Sequence, residues 1–132
     1  MRNMVTNFEE ITQELNAQEL EFMPKLISGF KNHTKVNPIK AHQIVTFCNQ
    51  FLIGCDKKLR MTEPRLRKMC NYIRANGLLP LIATSEGYYV SSDPDEIQAQ
   101  INSLRQRARS IDNSADGLER YLFNHQQKDL LK

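Results

Sequence analysis

Leu20, Met23, Ile27 and Phe30 recur at steps of 3, 4 and 3, the spacing of one face of a helix. Pro24 falls inside this series and is expected to start or kink a helix there. Upstream, Phe8, Ile11 and Leu15 repeat the spacing behind Asn7 as cap, which predicts a separate helical segment within residues 1–17. Asn37 and Pro38 can cap and open the next helix, and Ile44, Phe47, Cys48 and Phe51 predict that it covers residues 38–52. Residues 53–58 read as a turn, with Gly54 free to take a left-handed conformation. Thr62 then caps a third helix whose first turn holds Glu63 and Pro64. Its apolar stripe is Leu66, Met69, Cys70 and Ile73, and Asn76 with Gly77 should end it.

The period then changes from helical to alternating. Leu79 to Ala83 reads as a strand, residues 84–87 as a turn, and Tyr88 to Ser91 as the returning strand of a hairpin. Pro80 places the start of the first strand at an edge. One of the two rings, Tyr88 or Tyr89, is expected to pack beneath the hairpin, leaving the other exposed to a partner. Beyond the cap at Ser92 to Pro94, Ile97, Ile101, Leu104, Ala108, Ile111, Ala115, Leu118 and Leu122 follow steps of 4, 3, 4, 3, 4, 3 and 4. That is a sustained heptad, and it predicts one long helix over residues 93–132. Asn113, Ser114 and Gly117 are poor helix formers that could break it, and the end from Gln126 should fray. The fold class expected is mainly α with one small β-hairpin, divided into 1–17, 18–92 and 93–132.

Composition narrows the function classes. The 132 residues suffice for one domain with its own core, and no run of 18 apolar residues could cross a membrane. The N-terminus turns acidic at Glu9 and Glu10 where an export signal needs apolar residues. Three cysteines without C-x-x-C spacing suggest reduced thiols and a cytoplasmic location. His33, His42 and His125 are scattered, with no metal-ligand spacing. No nucleophile elbow, phosphate loop, dinucleotide fingerprint or zinc motif is present, so neither an enzyme nor a cofactor is expected. The acidic group Asp93, Asp95 and Glu96 is explained by helix capping.

Charge adds the positive signal. The net charge is +3, but residues 31–77 hold ten cations against Asp56 and Glu63, a local net of +8, leaving −5 elsewhere. Such concentration is the electrostatic footprint of nucleic-acid binding. On the third helix, Pro64, Lys68, Asn71 and Ala75 lie opposite the apolar stripe, with Arg67 and Arg74 on one flank and Arg65 and Tyr72 on the other.

Two helices, a capped basic helix and a hairpin form the chain order of a winged helix-turn-helix. The run from Met61 to Ile82, with Thr62 as cap, alternating basic and aliphatic residues, Gly77 and a Pro80-led strand, resembles the recognition helix of the biotin-repressor and DeoR type. Gly87-Tyr88-Tyr89-Val90 is similar to the return strand of their wing. The likeness spans residues 39–91, and a winged-helix core followed by a long helix also resembles small bacteriophage proteins. The resemblance implies a third helix in the major groove, with Arg65, Arg67, Lys68 and Asn71 facing base edges. Lys40, Lys57, Lys58, Arg60 and Arg74 would then be phosphate contacts that set register. The sequence departs from the family in three ways. Nine residues, Ile53 to Met61, separate the second and third helices, Pro64 replaces a polar residue, and the wing carries Glu86 but no cation.

The expected function is therefore double-stranded DNA binding, as a transcriptional regulator or a phage replication-associated factor in a bacterial host. The alternative is an interaction module whose basic face meets an acidic protein of the host. The long helix also has two readings. Its stripe of Ile97, Ile101, Leu104, Ile111, Leu118 and Leu122 could pair with a second copy, or it could fold back onto the N-terminal helices. A 30-residue stretch of it would span about 45 Å, which favours a homodimer.

Overall fold

The computed structural model describes residues 14–130, with side chains to Gln127. They are mainly helical with one two-stranded hairpin. The segment expected around Phe8 and Ile11, capped by Asn7, lies outside the described residues. The chain forms two compact units that divide between Asp93 and Pro94.

In the first unit, α1 (Ala17–Phe30) is capped by Asn16 and starts seven residues before the proline that was expected to open or kink it. The start is a reciprocal cap: Asn16 Oδ1 accepts from the Glu19 N–H at 2.8 Å, and Glu19 Oε1 accepts from the Asn16 N–H at 2.9 Å. Pro24 cannot bond the Leu20 carbonyl one turn back, but both residues are exposed, so solvent can take that carbonyl and the helix continues. Phe22, Met23, Leu26 and Phe30 fill the core from this helix.

Helix α2 (Ala41–Gly54) begins three residues later than its cap signal predicts, because Ile39 is extended. Ile39 exchanges both backbone hydrogen bonds with Tyr88, at 2.9 and 2.8 Å. Gly54 stays helical, and Asp56 takes the positive φ of 54° instead. The long connection to the next helix is anchored rather than loose. Leu59 and Met61 are buried, and the Asn49 side chain pairs with the Met61 backbone at 2.7 and 3.0 Å.

Helix α3 (Glu63–Ala75) is built as its sequence signals. Thr62 Oγ1 accepts from the Arg65 N–H, and Leu66, Met69, Cys70 and Ile73 are 0–1% exposed. At its end Gly77 (φ 63°) donates to the Arg74 carbonyl, and Leu78 to that of Ile73, closing the last turn.

Strands β1 (Leu81–Thr84) and β2 (Gly87–Val90) pair antiparallel, with Leu81 opposite Val90 and Thr84 opposite Gly87. The Ile39–Tyr88 bridge adds a third extended segment on the other edge of β2. Tyr89 is buried and Tyr88 packs on Phe30 at 5.8 Å between ring centroids, so both rings are engaged where only one was expected to be.

The second unit is a single helix, α4 (Pro94–Leu130). It runs unbroken through Asn113, Ser114 and Gly117 and past Gln126, where a break and fraying were expected. Ser114 Oγ donates to the Ser110 carbonyl, which satisfies the hydroxyl inside the helix.

Gly87 has a φ of 127°, and a Cβ there would meet the Ile39 carbonyl oxygen at 2.6 Å and its carbon at 2.7 Å. We therefore expect Gly87→Ala to lower stability by about 2–3 kcal/mol in urea unfolding, since strain and backbone clash add. Gly29→Ala, in α1 with nothing within 4 Å, should instead raise it by about 0.5 kcal/mol.

Candidate nucleic-acid interface

The outer face of α3 is where the sequence places the readers of base edges. Its two strongest cations do not project outward. Arg65 Nε lies 2.7 Å from Glu19 Oε2, and Lys68 Nζ lies 2.8 Å from Glu19 Oε1. The Glu19 side chain is 0% exposed, and those of Arg65 and Lys68 only 30% and 13%. Arg65 also donates through Nη1 to the Arg60 carbonyl. The expectation that Arg65 and Lys68 face a groove is thus corrected: a carboxylate taken out of water needs partners, and these two cations supply them.

Burial by itself raises the Glu19 carboxyl, but the Lys68 hydrogen bond, the Asn16 N–H and Arg65 outweigh it, so its pKa lies below the usual 4.5. Sequence analysis passed over Glu19 because periodicity sorts a charged residue to the solvent side. The Asn16-x-x-Glu19 spacing was the available signal, though it marks only the cap.

Arg74 is likewise drawn inward. Its Nε donates to the Leu81 carbonyl at 3.0 Å, stapling α3 to β1, and its buried Nη2 has no hydrogen-bond partner. Arg67 and Asn71 are half-buried, as is Pro64. No residue from Pro64 to Arg74 is fully exposed, so α3 does not offer an open reading surface along its length.

The remaining predicted cations lie in the loop before α3 and at the start of α2. Lys58 and Arg60 are exposed in the loop that leads into α3, where Arg60 Nη1 donates to the carbonyls of Lys57 and Leu59. Lys57, in the same loop, pairs with Glu21 at 2.8 Å, but both side chains are more than half exposed, and such a pair contributes little. Lys40 is exposed at the start of α2, and its Nζ reaches the Ser85 carbonyl in the hairpin turn at 3.3 Å.

Other chemistry is quiet. Burial pushes the Cys48 and Cys70 thiols up to about 11 and about 12, which keeps them protonated. Burial likewise raises the Tyr88 hydroxyl to about 12. Among the described residues no group of three or more His, Cys, Asp or Glu could hold a metal ion, and no helix is long and apolar enough to cross a membrane. No protein-family model, curated protein or solved structure matches the chain.

Because Glu19 is held below its ordinary pKa, its stabilisation is complete above about pH 4.5 and is lost as the pH falls through the lowered value. Glu19→Gln should cost about 2–3 kcal/mol at pH 7, the lower end for a broken buried pair because Arg65 keeps partial exposure. Chemical denaturation from pH 7 to pH 3 should show a shallower acid loss in the variant than in the wild type.

Proposed function

We propose that residues 14–93 form a winged-helix nucleic-acid-binding unit and that the chain binds double-stranded DNA mainly through its phosphates. The observation that carries this reading is the Ile39–Tyr88 bridge. With it, the order becomes helix, extended segment, helix, helix and hairpin, with the extended segment on the edge of the returning strand. That is the order of a winged helix, and it supports the family likeness carried by residues 39–91.

The charge supports the same reading in altered form. Lys58 and Arg60 stand at the start of α3, and Lys40 touches the hairpin to which its end leads. All three side chains are exposed, so they can reach phosphates bordering a major groove about 12 Å wide. Phosphate contacts set register without reading sequence, so a small contribution from Arg67 and Asn71 would make the protein semi-specific. A regulator or a replication-associated phage factor would both use such binding, and the phage origin rests on resemblance alone.

A second reading is favoured by one observation on α2. Phe47 is 60% exposed and Phe51 38%, lining a groove shared with Phe22 and Lys25 of α1. Exposed aromatic residues around a groove suit a protein partner.

The test is fluorescence anisotropy with a mixed-sequence duplex between about 50 and 200 mM salt. The wild type should bind with log K falling against log salt. Lys40→Ala/Lys58→Ala/Arg60→Ala should lose affinity and about 2.7 units of that slope, at about 0.9 for each phosphate contact. Arg65→Ala should lower the melting temperature with little change in slope. A wild type that shows no binding at about 50 mM salt would overturn the reading in favour of a protein partner.

A further inference from the structure

Helix α4 carries a stripe of exposed apolar side chains. Leu118 is 73% exposed, Leu122 55% and Ile111 36%, and Tyr121 beside them is 70% exposed. Ile97, Ile101 and Leu104, on the same stripe, are half-buried. Ala108 and Ala115 interrupt it with small side chains. We propose that the partner of this stripe is the α4 of a second copy, lying antiparallel, so that each residue n faces a residue whose number brings the pair to 219.

Packing selects this orientation. A parallel, in-register pair would stack Ala108 on Ala108 and Ala115 on Ala115, leaving two thin layers in the seam. The antiparallel register puts Ile97 opposite Leu122, Ile101 opposite Leu118, Leu104 opposite Ala115 and Ala108 opposite Ile111. All eight stripe positions are used, each alanine meets a large side chain, and the layers interdigitate.

Charge suits it as well. Arg105, Arg107 and Arg109 form a basic block, followed by the acidic Asp112, Asp116 and Glu119. A parallel pair would bring Arg107 beside the partner's Asp112. The antiparallel register instead brings Arg105 next to the partner's Asp112 twice, once on each side of the two-fold axis. Gln98 and Glu119 flank the outer layers in the same way.

This pairing does not depend on whether residues 14–93 bind DNA, and it is measured without DNA. Sedimentation equilibrium of the full chain should give a dimer, and Leu118→Glu, at an exposed position that leaves the fold intact, should give a monomer. Asp112→Arg should weaken association about tenfold at low salt, and adding Arg105→Asp in the same chain should restore it. Adding Arg107→Asp instead, which would be the rescue for a parallel pair, should not. Orientation is read by disulfide trapping in a Cys55→Ser background. Leu104→Cys and Ala115→Cys chains should each fail to cross-link alone and should cross-link when mixed. A wild-type chain that stays monomeric at about 100 μM, or single variants that each cross-link to themselves, would overturn the proposal.

Discussion

The carboxylate of Glu19, closed off from water with a guanidinium on one oxygen and an ammonium on the other, is the constraint on which the helical part of the first unit depends. A buried charge is tolerable only when its partners are in place, so any sliding of α1 along α3 that separates it from Arg65 or Lys68 is strongly disfavoured. The apolar contacts around Leu66, Met69 and Ile73 would accept several registers of two helices. The ion cluster accepts one. It also begins α1, because the same Glu19 oxygen that meets Lys68 closes the cap at Asn16.

That cluster changes what the basic segment means. Three of its ten cations, Lys57, Arg65 and Lys68, meet acids of α1 that lie outside the segment, and Arg74 is spent on a strand carbonyl. The other exposed cations, Lys31, Lys35, Lys40, Lys58 and Arg60, are dispersed over loops and helix ends rather than gathered on α3. A polyanion suits such a pattern better as a backbone to be straddled than as a set of bases to be read.

Local signals made α3 and the hairpin legible from residues alone. Thr62, Pro64, the Leu66 to Ile73 stripe and Gly77 each act within one or two turns, and the structure keeps all of them. The long heptad of α4 was legible for the same reason, and its small and polar residues proved insufficient to break it. Illegible were the features that join distant positions. Glu19 lies 46 residues from Arg65 in sequence, and Ile39 makes a bridge of a single residue that leaves no alternating pattern to detect. The start of α1 was obscured by Pro24, whose lost hydrogen bond falls on an exposed side where it is harmless.

The same separation in sequence orders events in time. As the chain leaves the ribosome, every partner of Glu19 is present once Lys68 has emerged, so the three helices can settle while the hairpin is still being made. The clamp between Ile39 and Tyr88 waits for residues that come some twenty positions later. It is closed last, and that edge is held by the Ile39–Tyr88 bridge and by the Val90 N–H on the His33 carbonyl. A ligand that grips the hairpin would thus act as its latch, tightening a segment that the chain fastens last.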